Sequence, residues 1–234
     1  MITCRAATQC GKADFGWLKA RYTFSFGHYF DPKLMGYAAL RVLNQEVLAP
    51  GAALQPRSYP RVDVLNLILQ GEAEYRDSLG NHLRAQAGEA LMLATRQDVT
   101  YTEQNVSTDQ PLTRMQLWLD ACPERVSDTL QHLALRSAPC QLIASPDGAE
   151  GSLQLRQQAW VHQLDLHAGE RHTLTLNGPR AYLQSIHGRV QAHNAAGDEQ
   201  QLLACGDGAF IYKEQSLTIV AESAMRALLI DLPT

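Results

Sequence analysis

Leu69-Gln70-Gly71-Glu72 and Ala87-Gly88-Glu89-Ala90-Leu91 have counterparts in the second half of the chain. These are Ile186-His187-Gly188-Arg189-Val190 and Cys205-Gly206-Asp207-Gly208-Ala209-Phe210. Upstream of each set stands one more glycine, Gly51 in the first and Gly169, within Ala168-Gly169-Glu170, in the second. The successive glycine spacings are close to 20 and then close to 18 residues in both copies. A period matched in this way marks a duplicated structural unit. None of the glycines has a nucleotide-binding context, and Gly206-Asp207-Gly208 reads as turn chemistry.

Between the turns lie short apolar runs with strand character: Val62 to Leu69, Ala90 to Leu93, Arg114 to Trp118, Trp160 to Leu166, Ala181 to Ile186 and Ala227 to Leu232. Glycine supplies the positive backbone angles that tight connections between strands require. Many short strands with glycine-rich turns predict an all-β protein made of two antiparallel barrels or jelly rolls. Ser127 to Leu135 carries the best helical period, with Leu130, Leu133 and Ala134 on one side. A short helical linker is therefore expected there, dividing an N-terminal domain, residues 1–126, from a C-terminal domain, residues 127–234, that includes the linker.

The 234 residues are 45% hydrophobic and 19% charged, which suits two globular domains of about a hundred residues each. A formal charge of −4 offers no footprint for nucleic acid or an anionic membrane. No apolar run approaches the roughly 20 residues of a membrane-spanning helix. Met1-Ile2-Thr3-Cys4-Arg5 lacks the apolar core of a secretion signal, so a cytoplasmic location is expected; the expected oligomeric state is a monomer.

Several further stretches carry a resemblance: Trp17-Leu18-Lys19-Ala20-Arg21-Tyr22-Thr23-Phe24-Ser25-Phe26, Tyr29-Phe30-Asp31-Pro32, Leu40-Arg41-Val42-Leu43-Asn44, Tyr75-Arg76-Asp77-Ser78-Leu79-Gly80-Asn81 and Gln116-Leu117-Trp118-Leu119. Here the chain closely resembles the pirin family, densely in the N-terminal half and in outline beyond it. The resemblance implies a bicupin, with two cupin domains. It also implies an iron site in the first, held by a His-Pro-His pair and a His-x-Glu pair, and flavonoid dioxygenase activity. On this chain those ligand positions fall at Arg57, Tyr59, Tyr101 and Glu103, so the glutamate alone is retained.

Alternate residues of a strand share a face, so both pairs can still point into the domain. The chemistry has changed, because a guanidinium is always charged and offers no lone pair, unlike imidazole. Arg57 is expected to serve as the bidentate counter-charge of Glu103, with the Tyr59 and Tyr101 hydroxyls completing the hydrogen bonding. One reading is an inert plug. The other is a pocket that takes a small anion or a polar aromatic through Arg57 and the tyrosines. Neither reading involves a metal or another cofactor.

The five histidines beyond the expected linker, His162, His167, His172, His187 and His193, form no ligand pair, so that domain reads as structural. The five cysteines are odd in number and lack a CxxC pattern, which suits reduced thiols. Cys122 follows a strand and has Arg125 three residues on, and Cys10 lies in a flexible-looking segment beside Lys12. These two are the candidate redox thiols, whereas Cys205, before a tight turn, is expected to be packed. The function expected is a non-catalytic binding or redox-responsive protein without dioxygenase activity. The competing reading is an enzyme, of the quercetin 2,3-dioxygenase type or metal-free, built on the N-terminal pocket.

Overall fold

A computed structural model describes residues 1–233. Among the described residues the regular structure is almost wholly strand, apart from two short 3-10 turns at Ala7–Gln9 and Ala149–Gly151. It begins with β1 (Ile2–Arg5), β2 (Gly11–Asp14), β3 (Leu18–Tyr22), β4 (Leu40–Leu48), β5 (Arg57–Ser58) and β6 (Val62–Gln70). There follow β7 (Glu72–Asp77), β8 (His82–Gln86), β9 (Glu89–Ala94), β10 (Thr100–Asn105), β11 (Leu112–Asp120) and β12 (Leu130–Ala134). The rest comprises β13 (Cys140–Ser145), β14 (Leu153–Gln154), β15 (Trp160–Leu166), β16 (Arg171–Thr175) and β17 (Arg180–His187). It ends with β18 (Val190–Asn194), β19 (Gln200–Leu203), β20 (Gly208–Tyr212), β21 (Ser216–Ala221) and β22 (Met225–Leu232).

The duplicated glycine frame corresponds to a duplicated topology. The N-terminal unit has one sheet ordered β12-β9-β6-β11-β4-β3-β2 and another ordered β5-β10-β7-β8. In the C-terminal unit, β1-β20-β17-β22-β15-β13 and β16-β21-β18-β19 repeat that plan. Each unit is thus a jelly roll of two sheets rather than one closed barrel. Alternation along the strands gives each unit its own apolar core. Val64, Ile68, Leu91, Tyr75 and Leu112 belong to the first, and Leu183, Val190, Ile211, Ile219 and Leu229 to the second.

Gly71 and Gly188 occupy the same hairpin of the two copies, with φ of 82° and 74°. A Cβ added at Gly71 would meet Pro111 O at 2.6 Å, and one at Gly188 would meet Ala224 O at 2.1 Å. Both the positive angle and the close backbone approach demand glycine, which accounts for the repeat seen in the sequence.

The expected helix at Ser127 to Leu135 does not form. Residues 130–134 are β12, paired antiparallel with β9 from Leu130↔Leu93 to Ala134↔Glu89. An isolated helix of nine residues is marginal in water, whereas the open edge of β9 supplies a full row of backbone partners. The unit boundary shifts accordingly. One compact unit comprises residues 11–135 with 153–157, and the other comprises 1–10, 136–152 and 158 onward. This replaces the division expected at 126/127. In the second copy the edge strand equivalent to β12 is β1, so the first ten residues belong to the C-terminal unit.

Candidate functional site

Strand pairing assembles the expected site. β10 runs antiparallel to β5, with Tyr101 opposite Arg57, and to β7, with Glu103 opposite Tyr75. Tyr101, Glu103 and Asn105 are buried and alternate with more exposed neighbours, so Tyr101 and Glu103 project inward. Tyr59, just beyond β5, is 2% exposed, and its ring meets Tyr101 at 5.5 Å and Trp118 at 5.0 Å between centroids. The four expected positions do converge.

Their connections differ from the expectation. Arg57 makes no direct bond to Glu103. Its Nε donates to Tyr59 Oη at 2.9 Å, and Tyr59 Oη donates to Glu103 Oε1 at 3.0 Å. The Tyr101 hydroxyl accepts from the backbone N–H of Arg96 at 3.2 Å, so Tyr101 contributes its ring to the site. The Arg57 guanidinium lies 4.8 Å from the Tyr59 centroid and 5.9 Å from that of Trp118. Its Nη1 and Nη2 donate to no other group among the described residues.

The direct partner of Glu103 is Arg114, which sequence reasoning missed. Arg114 is fully buried, and its Nη1 sits 2.5 Å from Glu103 Oε2. The aligned hydrogen bond from Nη1 goes to Tyr75 Oη at 2.9 Å, so the contact with Oε2 is chiefly one of charge. Nε and Nη2 of Arg114 donate to Glu46 Oε2 at 3.0 and 2.8 Å. A signal was present in the sequence. Leu112, Arg114, Gln116 and Trp118 alternate along one strand, as do Asn44, Glu46 and Leu48, and this places a cation and an anion at inward positions.

Two guanidinium groups and two carboxylates make this cluster formally neutral. Burial pushes the Glu103 carboxyl up, but the charges of Arg114 and Arg57, the close approach of Arg114 and the hydrogen bond from Tyr59 outweigh it. Glu103 therefore ionises below the usual carboxylate range. Burial, then the Glu103 charge, pushes the Tyr59 phenol well above its ordinary range, and burial also raises Tyr101.

This donor set does not suit a divalent metal. Both Glu103 oxygens are engaged, both phenols hold their protons, and two guanidinium groups stand where positive charge would arrive. Among the described residues no group of three His, Cys, Asp or Glu is arranged to hold a metal.

A second buried pair was also missed. Asp63, within β6, accepts from the backbone N–H of Arg156 at 2.6 Å and from its Nε at 2.7 Å. Arg156 Nη2 donates to the carbonyls of Val62 and Thr95 at 2.8 and 3.1 Å. It ties residues 153–157 into the N-terminal unit.

All five thiols are free. Cys122 is half-buried, and its Sγ donates to Gln157 Oε1 at 3.5 Å. Its loop is held by Arg61, whose Nη2 bonds the carbonyls of Cys122, Pro123 and Arg125. Cys10 is buried, with Sγ donating to Ala6 O at 3.6 Å, which corrects the accessible setting expected for it. A short 3-10 turn (Ala7–Gln9) orders that segment. Cys205 is exposed, contrary to the packed position expected, because the turn carries its side chain outward even as Sγ donates to Ile186 O.

Two jelly-roll cupin units in one chain define a bicupin. The chain belongs to the pirin family: the Pirin family model matches residues 3–119, and that of the quercetinase C-terminal cupin domain matches residues 142–232. It is 66% identical to the pirin-like protein YhaK of Escherichia coli K12, with both chains covered in full. It is 31% identical to a protein of the same organism named quercetin 2,3-dioxygenase, over all of this chain and 99% of that one. The crystal structure of Escherichia coli YhaK superposes with a TM-score of 0.82 at 63% identity, covering 97% of this chain and 99% of that one. The nickel(II) complex of the bacterial pirin YhhW from Escherichia coli gives 0.92 at 30% identity, covering 100% and 99%.

Proposed function

We propose that this chain is a cytoplasmic, monomeric bicupin that works without metal or other cofactor and without catalysis. In this reading its N-terminal unit binds a small anion or polar aromatic. The observation that carries the proposal is the chain Arg57–Tyr59–Glu103–Arg114, which neutralises the retained carboxylate internally. Arg57 remains as a guanidinium with an unused Nη fork, backed by the Tyr59 and Trp118 rings. That combination recognises a carboxylate or phosphate on one side and an aromatic plane on the other. Cys122 is the thiol through which the protein would respond to oxidants.

The test uses purified wild-type protein supplied in turn with iron(II), nickel(II) and copper(II). With quercetin, oxygen uptake should stay at the level of the metal alone. Benzoate and phosphate should change Trp118 fluorescence in wild-type protein but not in Arg57→Ala. Metal-dependent oxygen uptake would instead favour a dioxygenase, the reading supported by the relative of that name.

A further inference from the structure

We infer that Arg114 is a built-in cation doing the electrostatic work of a metal, and that Arg114 more than the missing histidines keeps divalent ions out of the N-terminal unit. This inference rests on the metal-independent reading above and deepens it. A carboxylate 2% exposed, as Glu103 is, requires a positive partner. Arg114 provides one from the opposite side to Tyr59, at 2.5 Å from Oε2. Arg114 is in turn fixed by Glu46 on one side and Tyr75 on the other, so its guanidinium cannot swing away. Register accounts for the arrangement: Arg114 lies opposite Glu46 across the β11–β4 pair, and Glu103 opposite Tyr75 across β10–β7.

A divalent ion bound to Glu103 would sit at roughly 2.0–2.2 Å from a carboxylate oxygen. The nearest nitrogen of Arg114 would then lie within a few ångströms of it, like charge against like charge, in a water-poor interior. Imidazoles placed at 57, 59 and 101 would provide lone pairs yet leave that repulsion intact. They would also remove the Arg57 charge, which lies farther from Glu103 and acts through Tyr59. The N-terminal unit therefore has two separate barriers to metal, one of ligand type and one of charge. The charge barrier resides in β11, outside the four ligand positions.

The experiment compares nickel(II) binding by isothermal titration and by metal content after gel filtration. Four full-length proteins are used: wild type; the triple variant Arg57→His/Tyr59→His/Tyr101→His; and that triple variant carrying also Arg114→Gln or Arg114→Lys. The triple variant should bind weakly. Adding Arg114→Gln should tighten binding at least tenfold, whereas adding Arg114→Lys, which keeps the charge, should leave it within threefold of the triple variant. Equal affinity of the triple and Arg114→Gln proteins would overturn the inference. So would a tenfold gain with Arg114→Lys, a result that stands even if Arg114→Gln does not fold. Stoichiometric nickel in wild-type protein would instead defeat the metal-independent reading itself.

Discussion

Arg114 Nη1 stands 2.5 Å from Glu103 Oε2, and both side chains are almost completely shielded from water. Removing one partner of such a pair leaves an uncompensated buried charge and costs about 3–5 kcal/mol. Arg114→Met and Glu103→Gln should each destabilise the protein to that extent in urea unfolding. The double variant should be less destabilised than the sum by about 2 kcal/mol, within the range for directly contacting residues. Additive losses would show that the two charges do not depend on each other.

Arg57 should behave differently from Arg114, although it occupies one of the four expected positions. It reaches Glu103 through one phenol and is itself half-buried. Arg57→Ala is expected to cost about 1 kcal/mol, as for loss of one net hydrogen bond. Its coupling to Glu103→Gln should fall below about 0.5 kcal/mol, the limit for additivity between sites that do not touch. Urea unfolding of the two singles and the double measures this. A coupling as large as that of Arg114 would reinstate Arg57 as the principal counter-charge.

These two arginines show what was legible in the sequence. The glycine frame revealed the duplicated jelly roll because each glycine answers a local demand, such as Gly71 against Pro111 O. Arg57, Tyr59, Tyr101 and Glu103 were legible through the family resemblance, and the pairing of β10 with β5 accounts for their proximity. In the sequence Arg114 reads as part of a strand and Asp63 as part of an apolar run, and nothing local to either points to a partner. Their partners, Glu46 and Arg156, lie 68 and 93 positions away. No local spacing rule connects residues so far apart. The error at Ser127 to Leu135 has the same origin, since the open edge of β9 is a demand made by a distant part of the chain.

The paired glycines allow a direct comparison. Gly71→Ala and Gly188→Ala should each lower the thermal midpoint, at a cost of about 1–3 kcal/mol for a non-glycine residue held at positive φ, with backbone crowding added. Gly80→Ala meets nothing within 4 Å at φ 90° and should cost less. Equal midpoints for all three variants would mean that the approach of Pro111 and Ala224 is relieved without penalty.

The thiols should separate by accessibility. Iodoacetamide with peptide mapping should label exposed Cys205 first and buried Cys10 last, after opening of the first ten residues. Cys140 should lag as well, because burial, with a smaller contribution from Glu150, pushes its thiol up to about 11. Under low peroxide the expected order changes, and a sulfenic-acid probe should find Cys122 ahead of Cys205. If Cys122 oxidises no sooner than Cys205, the redox role proposed for it should be abandoned.

Acid stability should reveal a carboxylate outside the candidate site. On the outer face of the β7-β8-β10 sheet, Glu74 accepts from Arg76, Arg84 and Gln104 and pairs with His82 at 2.8 Å. Hydrogen bonds from Arg76 and His82 hold its carboxyl down at about 2, from an ordinary value of 4.5. A group whose folded pKa is depressed stabilises the fold above its unfolded value. That contribution is lost as pH falls through the folded value. The window is therefore pH 4.5 to 2. The side chains of Arg76, His82 and Arg84 are 58%, 42% and 56% exposed, so solvent and salt weaken the effect well below the full linkage value. Thermal midpoints should fall more steeply over this window in wild type than in Glu74→Gln, and 1 M salt should narrow the difference. Identical slopes would show that the ring of donors around Glu74 adds nothing to stability in acid.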